Sequence, residues 1–408
     1  MAAFFPDGAP KALGAAVSGG GDSTALCVLL ARWCADAGTK LSVVTVDHGL
    51  RDGSAAEADA VCAMCKTLGL PHSTLKWDGW SGRGNLQDAA RKARRALIAD
   101  WAGENNIFSV AFGHTADDQA ETVLMRLGRG SGVDGLSGMA GKSSGQDVEF
   151  IRPLLTFRRR ELRDFLRAEK IDWLEDPSND NPRFERIKAR RALESLSQLG
   201  ITVDGLVNTA ARMRSSRRFI EGEVAKVAAN IARVSRAGDV LFNRKDFAAL
   251  DAELQYRLMA HALKWVASAP YRPRQAALQE SIQTMLNGEI KTLGGCQIVP
   301  ENTGEIRVFR EYQAVKDLRC GVNTVWDQRW QAVCADDQGL EIRPIGEDGM
   351  PFLADWRQYN HPRASVLSAP SIWRDRRMLA TVFEESSTGL RICLKKGADH
   401  FYRSVMTH

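Results

Sequence analysis

Along the first half of the chain the apolar residues keep changing their spacing. KALGAAV (11–17) is nearly continuous in small apolar residues, as a strand buried on both faces would be. After a polar break the spacing turns helical, with Leu26, Leu29, Leu30 and Trp33 on one face of a helix over 23–36. LSVVTVD (41–47) reads as a β-branched strand, and SAAEADAVCAMCKTLG (54–69) as an amphipathic helix. HSTLKW (72–77) is a short strand, and NLQDAARKARRALIADWAGENN (85–106) a long helix. FSVAFGH (108–114) and ADDQAETVLMRLGRG (116–130) form a fourth strand–helix pair, FIRPLL (150–155) and RRRELRDFLRAEK (158–170) a fifth. Such alternation predicts an α/β class: right-handed βαβ units and a doubly wound, parallel, five-stranded sheet.

The pattern changes near residue 200. Residues 203–234 predict one long helix, 252–267 and 273–286 two more, and 291–311 a hairpin. Beyond about 320 come short apolar pieces broken by Gly, Pro and Asp, with Trp326, Trp330, Trp356 and Trp373. Three domains are therefore expected: 1–200 catalytic, 201–318 mostly helical, and 319–408 small and β-rich. A chain of 408 residues is also too long for one ordinary core.

Composition narrows the class. Hydrophobic residues make up 44% and charged ones 26%, as in soluble globular proteins. No apolar run is long enough to span a bilayer, and the start lacks the basic region of a secretory signal. Eight irregularly spaced cysteines read as reduced thiols of a cytoplasmic protein. The net charge of +5 permits a polyanionic partner without demonstrating one.

In an open parallel sheet, ligands collect beyond the carboxyl ends of the strands. Here those ends carry SGGGDS (18–23), DHGLR (47–51), WDGW (77–80) and GHTADDQAET (113–122). Strand, glycine turn and helix start form the geometry that binds phosphate through backbone N–H groups. Ser18, Gly19, Gly20, Gly21, Asp22 and Ser23 compose that cradle, without the lysine of a Walker loop. A divalent cation on Asp22 and arginines from elsewhere would have to offset the charge. The bland alternative is a structural turn with Ser or Asp as helix cap.

The SGGxDS turn resembles the pyrophosphatase loop of N-type ATP pyrophosphatases, which share an adenine nucleotide alpha hydrolase-like fold. VDHGLR, ARKARRAL, GHTADDQAETVLMRLGRGSGVDGLSGM, RPLL and EDPSNDNPRFER resemble the tRNA(Ile)-lysidine synthetases in particular, over residues 13–195. The resemblance implies ligation of free lysine to the wobble cytidine of a tRNA(Ile) with a CAU anticodon. ATP adenylates the cytosine carbonyl oxygen, and the lysine ε-amine then displaces AMP. It implies ATP with Mg2+ as substrate, Asp118 and Glu121 as lysine contacts, and Arg94 as a functional cation.

The residues fit those demands. His114, Asp118 and Glu121 fall on one helical face, with Asp117 alongside. Like charges at i,i+3 and i,i+4 are mildly destabilising, a strain an ammonium ligand relieves. Capping by Thr115 would explain Asp117 and Asp118 but leaves Glu121 over. The amine, with a pKa of about 10.4, needs a base; His114 and the acids are the candidates. Asp47 and His48 stand where a nucleotide ribose or base could sit, and His48 serves equally as a turn residue.

Arginine clusters containing Arg152, Arg158, Arg159 and Arg160, then Arg186, Arg190 and Arg191, then Arg212, Arg214, Arg217 and Arg218 suit a phosphate backbone. Of these, Arg152, Arg186, Arg190, Arg191, Arg212 and Arg217 are the expected tRNA contacts. Cys62 and Cys65 form a CxxC that would suit a tRNA thiolase, but they continue an apolar face with Ala58, Val61 and Leu68. Another ATP pyrophosphatase, an amidotransferase-like ligase, would need an ammonia source, and no glutaminase domain is evident. A homodimer is compatible with all of this.

Overall fold

The computed structural model describes residues 1–49, 53–77, 79, 86–145, 148–175, 185–334, 339–353, 355–384 and 389–405. Parts of DHGLR and WDGW, and most of EDPSNDNPRFER, lie outside the described residues. The chain divides into two units, Met1–Arg217 and Arg218–His408.

The first unit runs β1 (Ala12–Ala16), α1 (Gly21–Ala37), β2 (Lys40–Asp47), α2 (Ser54–Thr67), β3 (His72–Lys76), α3 (Leu86–Glu104), β4 (Ser109–Phe112) and α4 (Ala116–Leu127). A single turn, α5 (Val133–Leu136), precedes β5 (Lys142–Gly145), β6 (Val148–Ile151), α6 (Arg159–Ala168) and α7 (Glu185–Leu196). The sheet order is β3-β2-β1-β4-β6-β5, with the first five strands parallel. β5 adds an antiparallel edge that the hydrophobic pattern does not announce. Its sequence KSSG is polar, as suits a strand at a sheet margin.

Helices cover both faces. Leu13, Ala15, Val17, Leu26, Val43, Val61, Cys65, Ile151 and Leu162 form one buried layer under α1, α2 and α6. Val44, Ile98, Trp101, Val110, Phe112 and Phe150 form the other, under α3. Leu13, Val43, Val44 and Val110 are wholly buried, and each such side chain is worth about 1.5–3 kcal/mol. Strand order reverses beside β1: β2 lies on one side and β4 on the other. That switch point is where an open α/β sheet leaves a crevice at the strand ends.

α8 (Val203–Ile231) contains the boundary between the units. In the second unit, β7 (Ala232–Val234), β8 (Val240–Asn243), α9 (Arg244–Ala248), α10 (Ala252–Ala267), α11 (Gln275–Leu286), β9 (Lys291–Leu293), β10 (Cys296–Pro300) and β11 (Glu305–Arg310) follow. The expected hairpin over 291–311 is a three-stranded meander, enlarged by β7 and β8 into a five-stranded antiparallel sheet. The tail forms a four-stranded sheet of β12 (Cys320–Gly321), β14 (Leu340–Pro344), β15 (Pro370–Arg374) and β16 (Arg377–Thr381), and a pair of β13 (Trp330–Val333) with β17 (Arg391–Leu394).

The boundary expected at 318/319 falls inside this unit. Arg329, from the tail, donates to Val266 O (3.0 Å) and Gly238 O (2.7 Å) and stacks on Trp265. Trp326, Trp330 and Trp373 are buried in the tail's own core. Among the described residues no helix is long and apolar enough to cross a membrane.

Candidate active site

The glycine turn is built by local chemistry. Gly19 has φ +85°, and a Cβ there would lie 2.6 Å from Leu174 Cδ1. Leu174 N–H donates to Gly19 O at 2.9 Å, so the 173–175 segment backs the turn. Gly20 differs: φ is −68°, and nothing approaches its missing Cβ closer than Ser18 Oγ at 4.0 Å. Gly20 therefore faces open space, and neither strain nor packing requires a glycine there. As N-cap of α1 it offers no side-chain acceptor, so the first-turn N–H groups keep the positive helix end free for an anion. Ser23 Oγ donates to Gly20 O (2.9 Å) and accepts from Ser18 N (3.2 Å). Ser23 thus builds the turn, while Ser18 is exposed.

The loop after β4 lies directly on this turn. A Cβ on Gly113 would come within 2.9 Å of Ser23 Cα and 3.0 Å of Asp22 O, which admits only hydrogen. Thr115 caps α4 in a capping box: Asp118 N donates to Thr115 Oγ1, and Asp118 Oδ2 accepts from Thr115 N and Oγ1, both at 2.9 Å. The cap occupies one carboxylate oxygen of Asp118, and Oδ1 points elsewhere, 3.1 Å from Arg159 Nη2. Asp118 therefore caps α4 with one oxygen and meets Arg159 with the other. Asp117 is structural: its Oδ2 accepts the Arg159 backbone N–H at 2.7 Å and docks α6 against α4.

Arg159 joins the two halves. Its Nε donates to Asp22 Oδ2 at 2.9 Å, while Nη1 lies 3.6 Å from Glu121 Oε1. Arg190 donates to Glu121 Oε1 at 3.0 Å, and Arg186 stands 3.9 Å from Asp118. After all these contacts, Asp22 Oδ1 and Glu121 Oε2 remain buried without a hydrogen-bond partner among the described residues. Burial, seconded by the charge of Asp118, raises the Glu121 pKa against Arg190 and Arg159. Burial also raises Asp22 despite Arg159. Asp118 is opposite: burial would raise it, but Arg159, the Thr115 amide and Arg186 outweigh that and lower it.

Arg94 carries its guanidinium 5.2 Å over the Phe112 ring and has no carboxylate partner among the described residues. Burial, Arg91 and Arg186 bring its pKa down to about 10, so it remains a cation at neutral pH. His114 is held down at about 3 by burial and by Arg152, Arg94 and Arg186, against Asp118; its Nδ1 is buried without a partner. His48 meets the Trp77 ring edge-on at 6.0 Å, and its Nδ1 is likewise unpartnered. Asp47 is a turn former: hydrogen bonds from Ser54 and from the Gly49 amide (2.9 Å) lower its pKa.

The arginine clusters separate. Arg152 is not a surface contact for phosphate: it is buried and donates to Ala140 O (2.8 Å) and Ser143 Oγ (3.2 Å). Arg186 and Arg190 face the carboxylates of α4, and Arg217 lies 3.7 Å from Asp134. Arg191 and Arg212 are exposed. Arg159, counted in the sequence only as one of three consecutive arginines, is the site residue that the pattern misses. On the first turn of a helix only one of such a trio can point at a given neighbour, and nothing local says which. Cys62 is partly buried and Cys65 fully buried, and all eight cysteines are free. Among the described residues no three His, Cys, Asp or Glu side chains cluster as a metal site.

A PP-loop domain family model matches residues 1–196. A tRNA(Ile)-lysidine synthase of Ruegeria pomeroyi is 43% identical over 408 residues, covering 100% of this chain and 97% of the relative. One of Wolbachia pipientis is 33% identical, covering 90% of this chain and 87% of the relative. Among solved structures, a U34-tRNA thiolase of Methanococcus maripaludis is 18% identical, over 50% of this chain and 70% of that one. Its TM-score is 0.43.

Proposed function

This chain belongs to the tRNA(Ile)-lysidine synthase family, and from that premise we propose how its strand-end crevice carries out ATP-dependent lysidine formation on tRNA(Ile). The triphosphate of ATP lies over Gly19–Gly21, against the free N–H groups that open α1. Asp22 Oδ1, the buried oxygen left without a partner among the described residues, would hold a Mg2+ ion bound with the triphosphate and so offset phosphate charge. A single carboxylate suffices, because magnesium bound with nucleotide takes most of its ligands from phosphate and water.

The cytosine carbonyl oxygen attacks the α-phosphorus, the α–β bridging bond breaks, and pyrophosphate departs. A ring carbonyl oxygen leaves poorly, whereas AMP leaves well, so this first step makes the second feasible. Arg94, a cation with no carboxylate partner among the described residues, offsets the phosphate charge at the adenylated base. The lysine ε-amine then attacks the same ring carbon and AMP is released.

Lysine arrives as an ammonium and must lose a proton first. Asp118 Oδ1 and Glu121 Oε2 receive it. Glu121 is the stronger candidate for base, since its raised pKa and unpartnered oxygen suit proton acceptance. His114, held at about 3, is neutral and serves as a hydrogen-bonding group facing the adenylate. Exposed Arg191 and Arg212 meet the tRNA backbone, and the target cytidine is turned out of its loop into the crevice. We assign residues 1–200 as the catalytic domain and the cytoplasm, where eight free cysteines stay reduced, as the compartment.

The observation that carries this reading is the reach of Arg159, one side chain touching Asp22 of the glycine turn and both acids of α4. The thiolase alternative loses its support with Cys65 buried in the core. Steady-state pyrophosphate release from ATP should require both tRNA(Ile) and lysine. Release that depends on a sulfur donor, or that runs without tRNA, contradicts the proposal.

A further inference from the structure

Asp22, Asp118 and Glu121 come from two helices, and one guanidinium spans all three at 2.9, 3.1 and 3.6 Å. The backbone of Arg159 is pinned by Asp117 at the start of α6, whereas its guanidinium ends in the crevice. The side chain can therefore leave the acids without moving the helix. Arg159 meanwhile stands where a substrate ammonium has to go, because Asp118 Oδ1 is both its partner and the lysine contact assigned above.

We propose that Arg159 couples the nucleotide subsite to the lysine subsite, acting as an internal cation that keeps the lysine carboxylates closed until nucleotide binds. The inference rests on the active-site reading above. Its physical basis is competition. A Mg2+ ion held at Asp22 Oδ1 would draw charge from the carboxylate whose Oδ2 holds Arg159, and triphosphate oxygens offer the guanidinium a bidentate alternative. Asp118 Oδ1 is then free for an ammonium, while Arg190 still holds Glu121 Oε1 and leaves Oε2 for the same ligand. Arg159 is a positioning residue in this scheme, and the coupling is reciprocal: lysine must tighten nucleotide binding by the same factor.

The test is lysine affinity by calorimetry, with and without Mg2+ and a non-hydrolysable ATP analogue. For the natural protein the nucleotide should tighten lysine binding at least about tenfold. In Arg159→Gln the ratio should fall to about twofold or less, with nucleotide-free lysine binding tighter than in the natural protein. Arg159→Lys retains a charge but cannot span three carboxylates, and should give an intermediate ratio. Should the Gln variant fail to fold, the Lys variant decides. An unchanged ratio in the folded variant, or loss of nucleotide-free lysine binding there, overturns the coupling alone. A natural protein that binds lysine in neither state overturns the active-site reading and the coupling with it.

Discussion

Each unit sets an arginine among carboxylates, and the two arrangements differ in what they leave over. In the second unit Arg307, 2% exposed, bonds Asp239 at 3.0 Å, Glu301 and Asn360 O. Asp239 Oδ2 also accepts the Ser365 hydroxyl. Among the described residues no oxygen of Asp239 or Glu301 is buried without a partner, and the buried atom left over beside them is a histidine nitrogen, His361 Nε2, 3.7 Å from Asp239 Oδ2. In the first unit Arg159 touches three carboxylates, yet Asp22 Oδ1 and Glu121 Oε2 stay unpartnered. Burying polar atoms unpaired is costly, and a fold retains them where a ligand completes the set. Arg307 thus leaves no buried carboxylate oxygen over, whereas Arg159 leaves two.

That contrast breaks most sharply at Asp22. Asp22→Asn should lower tRNA- and lysine-dependent pyrophosphate release about 100-fold or more, with melting temperature little changed. Arg307→Met should do the reverse. It leaves Asp239 and Glu301 uncompensated and should lower stability by about 3–5 kcal/mol in denaturant unfolding, while the folded fraction keeps its turnover. Glu121→Gln should raise the lysine KM at least about tenfold with nucleotide binding nearly intact; unchanged lysine kinetics would remove Glu121 from the pocket. Gly20→Ala should keep the fold, because space and φ both allow a methyl group, but weaken nucleotide binding about tenfold where phosphate presses on the backbone.

A further effect, confined to acid pH, is on pH dependence. The folded-state pKa of His114, about 3, lies below its ordinary 6.5. Its contribution to stability is therefore present above about 6.5 and is lost as the pH falls toward 3. Replacing His114 with Gln should flatten the acid limb of the stability curve in that window. Because His261 of the second unit is also depressed, to about 4, only the difference between the two proteins is informative.

The glycine turn, the α4 acids and the alternation of strand and helix that implies a parallel sheet were legible because each depends on neighbours in sequence: apolar runs, turn residues, a cap. Arg159 was not, since its contact with Asp22 spans 137 residues and depends on which of three arginines faces inward. Arg152 misled for the same reason, as adjacent basic residues distribute over faces that a linear cluster does not distinguish. Asp118 looked like a choice between cap and pocket because a carboxylate has two oxygens, and sequence cannot show them used separately. The second unit was the least legible part. Its five-stranded sheet closes only through pairings such as Glu305 with Asn243, far apart along the chain.

The most direct measurement is the mass of the nucleosides released from tRNA(Ile) after incubation with ATP and lysine labelled with heavy nitrogen at the ε position. A cytidine that gains one lysine, bonded through the labelled nitrogen, and that forms far more slowly in Asp22→Asn and, at limiting lysine, in Glu121→Gln, is the predicted result. A thiolated cytidine, or a lysine adduct that forms at the natural rate at limiting lysine when either carboxylate is neutralised, contradicts a crevice in which the glycine turn and the α4 acids serve a single reaction.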